Sequence, residues 1–103
     1  MDKDKRARLE AKGWRVGSVD EFLGLTPDEA AYLELKLTLS ERVREYRQSK
    51  RLTQVEMAER LGSSQSRVAK IENGDASVSL DLLIRSLFAL GATRKELAGM
   101  IAS

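Results

Sequence analysis

The sequence predicts an all-α fold, and three observations support that class. Aromatic side chains make up only 5% of the 103 residues and Pro occurs once, so few residues favour strands or interrupt helices. Apolar residues recur at helical spacing along most of the chain. Thr and Ser residues that can cap helices precede several of these stretches, often with Glu three residues later. One domain is the expectation for a chain of this length.

The most informative stretch reads TQVEMAERLGSSQSRVAKIENG, residues 53–74. Thr53 and Glu56 can form a capping box ahead of a first short helix, and Gly62 is placed to end that helix. Ser64 can cap a second helix that runs from residue 65 to residue 72. The sequence therefore predicts two short helices joined by a tight turn.

The second of these helices has a narrow apolar edge, formed by Val68 and Ile71, and a polar opposite face. Gln can hydrogen-bond adenine at two positions, and Arg or Lys can bond guanine or phosphate. The same side chains are common on ordinary solvent-exposed helices, so composition alone leaves both interpretations open. The polar face comprises Gln65, Ser66, Arg67 and Lys70.

The spacing of small and apolar residues in this stretch resembles the helix-turn-helix of the Cro/lambda-repressor (XRE) family. Counted from Gln54, Ala is fifth, Gly is ninth, and the two apolar residues of the second helix are fifteenth and eighteenth. Ser63 departs from the family, which more often has an aliphatic residue there. The resemblance implies an ion pair between Arg47 and Glu72. It also implies DNA contacts from Gln54, Ser64, Gln65, Ser66, Arg67, Lys70 and Asn73.

The fold class expected is an all-α, five-helix Cro/lambda-repressor-like helix-turn-helix domain with an extra N-terminal helix and a flexible N-terminal arm. Thr26-Pro27-Asp28-Glu29 begins the extra helix, whose apolar stripe includes Leu33, Leu37 and Tyr32. Ser40 is expected to cap the first helix of the repressor-like domain. The sequence therefore predicts that the chain divides into three segments: a flexible partner-binding segment at 1–25, the N-terminal helix at 26–39 and the DNA-binding domain at 40–103.

Two further helices are predicted after the helix-turn-helix. Residues 80–90 are apolar nearly all round and are ended by Gly91, which is typical of a central core helix. A short last helix carries the stripe Leu97, Met100 and Ile101. That stripe suits either the core or a dimer seam. We favour the dimer seam, because a small operator-binding domain reads two half-sites as a pair.

The N-terminal segment has two parts of different composition. Residues 1–13 alternate charges, with Leu9 as their main apolar group, so we expect them to lack stable structure. Residues 14–25 are apolar enough to bind a partner, and the first three could add to another protein's sheet. Packing back onto their own domain is the alternative. The candidate partner-binding residues are Trp14, Val16, Val19, Phe22 and Leu23.

Over nearly its whole length, the chain is similar to HigA-type antitoxins of bacterial toxin–antitoxin pairs. The segments FLGLTPDEAAYLELKL and SSQSRVAKIE, occurring together, carry this resemblance. It implies a homodimer that represses from a palindromic operator, and an N-terminal segment that neutralises a HigB-like ribonuclease toxin of the RelE fold. The alternatives are a stand-alone XRE regulator without a toxin, and a protein-interaction module that does not bind DNA.

Composition also excludes several classes of function. Cys and His are absent, which removes disulfides, thiol nucleophiles, imidazole bases and the usual zinc ligands. We therefore expect no catalytic residue, metal, cofactor or small-molecule ligand. No apolar run could span a membrane, and the polar N-terminus is unlike a secretory signal, so a cytoplasmic protein is expected. Net charge is only +2, a weak electrostatic footprint for DNA that favours binding as a dimer.

Overall fold

A computed structural model describes residues 24–102, and over that range the chain forms five α-helices and no strand. In chain order these are α1 (Pro27–Ser49), α2 (Gln54–Leu61), α3 (Gln65–Glu72), α4 (Leu80–Ala89) and α5 (Arg94–Ala102). The all-α prediction is confirmed for this part of the chain. None of these five helices is long and apolar enough to cross a membrane.

Reciprocal side-chain caps determine where three of these helices begin. At α2, the Thr53 hydroxyl accepts the Glu56 backbone N–H at 3.1 Å, and the Glu56 carboxylate accepts the Thr53 N–H at 2.9 Å. The backbone and then the side-chain hydrogen bond from Thr53 lower the pKa of Glu56 below its usual value, because both favour the carboxylate. The same arrangement joins Thr26 to Glu29 before α1 and Thr93 to Glu96 before α5.

The first two predicted helices are one continuous helix, α1, so the prediction that Ser40 caps a helix is wrong. Ser40 lies in the middle of α1 and is buried. After Pro27, the sequence of α1 contains neither Gly nor Pro, so nothing forces a break at residue 40. The boundary expected between residues 39 and 40 therefore falls inside a helix.

The core is built around α1, which packs against α3, α4 and α5. The sequence predicts that α4 is a central core helix, and Leu83 and Leu87 are fully buried, but Phe88 is 44% exposed. One side of α4 faces the core, and the opposite side faces solvent. The buried cluster comprises Leu39, Val43, Tyr46, Met57, Ala58, Val68, Ile71, Val78, Leu83, Leu87, Leu90 and Ala92.

Leu39 tests whether the middle of α1 belongs to this core. Its side chain is completely buried in the cluster, so Leu39→Ala should lower the free energy of unfolding by about 2–5 kcal/mol. Tyr32, on the same helix, is 49% exposed. Tyr32→Ala should change the free energy by about 0.5 kcal/mol or less. Urea unfolding measures both variants, and equal losses would contradict this account of α1.

Candidate nucleic-acid interface

The turn between α2 and α3 brings the two helices into contact. Gly62 ends α2 with φ +63° and ψ +39°, a left-handed conformation that most side chains disfavour. The next N–H, that of Ser63, bonds the carbonyl of Ala58 at 2.9 Å. Ser64 then caps α3 by accepting the backbone N–H of Arg67 at 3.2 Å. This geometry confirms the predicted helix–turn–helix.

Helix α3 has one buried edge and one exposed face. Val68 and Ile71 are fully buried against the core, as the sequence predicted. The opposite face carries polar side chains that are exposed to solvent. The exposed members are Gln65, Ser66, Arg67 and Lys70, followed at the C-terminal cap by Asn73.

A buried ion pair holds α3 against α1. Arg47 Nε donates to Glu72 Oε2 at 2.6 Å, and Arg47 Nη2 donates to Glu72 Oε1 at 3.1 Å. The Glu72 side chain is 1% exposed and the Arg47 side chain 12%. Arg47 Nη1 also donates to the carbonyl of Leu52 at 2.7 Å, in the segment that leads into α2. The pair implied by the family resemblance is therefore present and connects three parts of the domain.

The hydrogen bonding continues from this ion pair to the first residue of α3. Gln54 Nε2 donates to Glu72 Oε1 at 3.2 Å, and Gln65 Nε2 donates to Gln54 Oε1 at 2.7 Å. Gln54 is half-buried, and both ends of its amide are engaged by protein. Its side chain thus orients Gln65, a role that is distinct from the DNA contact implied by the family resemblance, which stays a prediction.

On the other flank of α3, a cavity of about 290 Å³ lies between that helix and the segment leading into α4. Arg67 and Lys70 supply two positive charges to its lining. The hydroxyls of Ser64 and Ser66 hydrogen-bond each other at 3.2 Å, which leaves one of their two hydrogens to donate, so the cavity suits an anionic group such as a phosphate. The serines that line it are Ser64, Ser66 and Ser77.

Asp75 places a negative charge beside this cavity. Its Oδ1 accepts the Ser77 hydroxyl at 2.6 Å and the Ser77 backbone N–H at 2.9 Å. These two bonds, the hydroxyl first, lower the pKa of Asp75 below its usual value, and the charge of Lys70 acts in the same direction. Asp75 is therefore ionised at neutral pH, and its charge opposes the approach of phosphate.

Only some of the residues expected to bind partners lie within the described part of the chain. Trp14, Val16, Val19, Phe22 and Leu23 lie outside the described residues. Of the expected dimer residues, Leu97 and Met100 are half-buried and pack against the core, whereas Ile101 is 46% exposed. Nothing in a single chain tests their role in pairing, which stays a prediction.

Two arginines that the sequence did not single out lie near the interface. Arg60 on α2 and Arg85 on α4 line the same groove as Arg67, with a volume of about 470 Å³. No sequence signal connects them, because the three side chains come from three different helices. Their spacing along the chain carries no information, because a turn or loop separates each helix from the next, and packing alone brings them together.

Replacing Arg47 tests whether the buried ion pair holds the interface together. Arg47→Met leaves the Glu72 carboxylate buried without its cation, so the free energy of unfolding should fall by about 3–5 kcal/mol. The double variant Arg47→Met/Glu72→Met removes the unpaired charge and should recover part of that loss. Urea unfolding at neutral pH measures both.

The matched control is the exposed pair Arg85–Asp81 on α4. Its N–O distance is 3.5 Å and both side chains are about three-quarters exposed (76% and 77%), so Arg85→Met should change stability little. An Arg47→Met variant as stable as Arg85→Met would show that the buried pair does not hold the domain together.

Comparison with known proteins agrees with this geometry. Residues 43–93 match a protein-family model described as helix-turn-helix, a span that begins within α1 and ends just before α5. No curated protein and no solved structure matches the chain significantly. The matched span contains the Arg47–Glu72 pair, the turn at Gly62 and the exposed face of α3. Residues 43–93 are therefore similar to the helix-turn-helix domains of the XRE type.

Proposed function

We propose that the chain is a sequence-specific transcriptional repressor that places α3 in the DNA major groove. A major groove about 12 Å wide admits one α-helix, and α3 presents its exposed polar face along its whole length. The observation that carries the proposal is the hydrogen-bonded series Arg47–Glu72–Gln54–Gln65. It holds the first side chain of α3 in one orientation before DNA arrives, which lowers the entropy cost of binding.

Gln65 is the residue we assign to base reading. One of its two amide hydrogens bonds Gln54, which leaves its second N–H and its carbonyl oxygen for a base. Adenine offers an N7 acceptor and an N6 donor side by side in the major groove. An oriented glutamine therefore suits an adenine, and this contact should contribute about 1–3 kcal/mol of discrimination.

We assign the other polar residues of α3 and its caps either to base edges or to the phosphates of the DNA backbone. Ser66 and Lys70 project from the same side of α3, four residues apart, and suit base edges or the adjacent phosphates. Gln65 and Arg67 project about 200° apart around the helix, so Arg67 faces the flank next to α4. There it suits phosphate, with Ser64 at the N-terminal cap and Asn73 at the C-terminal cap as further backbone contacts.

We further propose that the protein binds its operator as a homodimer. One α3 offers few base contacts, and a net charge of +2 supplies little non-specific attraction. Pairing doubles both contributions and reads two half-sites one helical turn apart. Ile101 is the exposed apolar residue on α5 that a second copy would cover, with Leu97 and Met100 beneath it.

The antitoxin role is the second part of the proposal. It is supported by the resemblance of residues 22–37 and 63–72 to HigA-type antitoxins and by the apolar residues of the N-terminal segment. The partner would be a basic ribonuclease toxin of the HigB type, and the complex would repress its own operon. A stand-alone XRE regulator is the alternative, in which that segment has no toxin to bind.

Substitutions on the exposed face of α3 test the DNA part of this proposal. A preferred duplex is first selected from a random pool with the full chain. Gln65→Ala and Lys70→Ala should weaken binding to that duplex by about 1–3 kcal/mol, roughly five- to 150-fold. Gln65→Ala should lose most of its preference over an unrelated duplex, because it removes the base contact. Fluorescence anisotropy at fixed salt measures both affinities.

Lys95→Ala is the matched control, since it removes the same charge from the exposed surface of α5. It should bind within about twofold of the unmodified chain if α5 lies away from the DNA. Melting curves confirm that all variants are folded. Unchanged affinity and preference in both Gln65→Ala and Lys70→Ala would overturn the assignment of α3 as the recognition helix.

Deletion of residues 1–23 tests the antitoxin part. The full chain should retain a basic protein of RelE-like size from its native host and suppress that protein's ribonuclease activity on RNA. The deletion variant should do neither, while still binding the selected duplex. If neither chain retains a ribonuclease and both bind DNA, the stand-alone regulator is the correct description.

A further inference from the structure

A groove on the α4 flank of α3 lies between α2, the turn, α3 and α4. Its volume is about 470 Å³. Three arginines line it, each from a different helix: Arg60 from α2, Arg67 from α3 and Arg85 from α4. Its apolar lining comprises Leu61, Ile71, Leu82 and Ala89. We call this feature the arginine groove.

The arginine groove is strongly positive. None of the described residues that line it is acidic. Among residues 24–102, Arg67 makes no ion pair, the charge of Arg60 acts on Glu56 one turn earlier without a direct ion pair, and Arg85 has an exposed partner, Asp81, at 3.5 Å. Three guanidinium groups around one groove repel each other, and a bound anion would relieve that repulsion. The three arginines lie on three different helices, so the cluster does not arise from the spacing of charges along one helix.

The position of the groove indicates which anion it binds. Arg67 lines both the arginine groove and the cavity that contains Lys70 and Ser77. The two concave surfaces therefore form one continuous basic strip along the α4 flank of α3. A DNA backbone that passes beside a major-groove helix presents a row of phosphates along such a flank.

We propose that the arginine groove binds a phosphate of the DNA backbone and anchors the recognition helix independently of base sequence. This inference rests on the proposed function, because it requires α3 to lie in the major groove. Guanidinium groups bind phosphate oxygens through two parallel hydrogen bonds, which favours arginine over lysine at such a site. Ser63, at the rim of the groove, can donate a further hydrogen bond from its hydroxyl.

Replacing Asp81 should change DNA affinity in the opposite direction to replacing the arginines. Its carboxylate lies 3.5 Å from Arg85 Nη1 and competes with phosphate for that guanidinium. Removing the acid should strengthen DNA binding, whereas removing either arginine should weaken it. The same substitutions should leave the choice of base sequence unchanged, because phosphate carries no sequence information.

The experiment measures DNA affinity against salt concentration for the full chain and four variants. Arg60→Gln and Arg85→Gln should each weaken binding to the selected and the unrelated duplex by the same factor, roughly three- to tenfold at about 0.1 M salt. Each should also reduce the slope of log K against log salt by about 0.9. Asp81→Asn should tighten binding to both duplexes. Arg94→Gln, on α5, is the matched control and should keep the slope of the unmodified chain.

Three results would overturn the proposal. One is an unchanged salt slope in both Arg60→Gln and Arg85→Gln while the unmodified chain binds its selected duplex. Another is a loss confined to the selected duplex, which would indicate base reading. The third is pyrophosphate binding that needs the two arginines while DNA binding does not, which would assign the groove to a small anion. Failure of the unmodified chain to bind any duplex would instead refute the proposed function.

Discussion

The arrangement of the proposed DNA-binding surface depends on the buried ion pair between Arg47 and Glu72. Removing two charges from water is unfavourable, and their attraction offsets that cost only when the geometry is good and the remaining polar atoms are bonded. Here the guanidinium makes two bonds to the carboxylate and a third to the carbonyl of Leu52. Hydrophobic residues of similar size could supply comparable stability. The ion pair also fixes the orientation of a side chain on α3. Glu72 accepts a hydrogen bond from Gln54, and Gln54 accepts one from Gln65.

The long helix α1 connects the N-terminal segment to the Arg47–Glu72 ion pair. Its 23 residues span about 34 Å at the usual rise per residue. One end begins at the Thr26 cap, next to the segment we propose to bind a partner, and the other carries Arg47. Because Leu39 and Val43 are fully buried, this helix is part of the core from its middle onward. The N-terminal segment is therefore attached to the same rigid body that orients the recognition helix.

Charge placement matters more in this chain than net charge. A net charge of +2 attracts DNA weakly, yet Arg60, Arg67, Arg85 and Lys70 gather on one flank of α3. Asp75 and Asp81 lie beside that flank and reduce its attraction for phosphate. Under the proposed function, this balance limits sequence-independent binding. The base contacts then contribute a larger share of the affinity.

The sequence by itself determined the all-α class, the capping boxes, the turn at Gly62 and the two-sided character of α3, because each depends on residues within one or two turns of each other. The Arg47–Glu72 pair came from family resemblance rather than from spacing. Local signals failed at Ser40, where a good capping residue lies inside a helix because packing of Leu39 and Val43 on the core outweighs capping preference. They failed again at Phe88, because an apolar residue does not reveal which side of its helix is covered. Only the tertiary structure joined Gln54 to Gln65 and brought Arg60, Arg67 and Arg85 to one groove, since residues on separate helices meet through packing that local sequence does not encode.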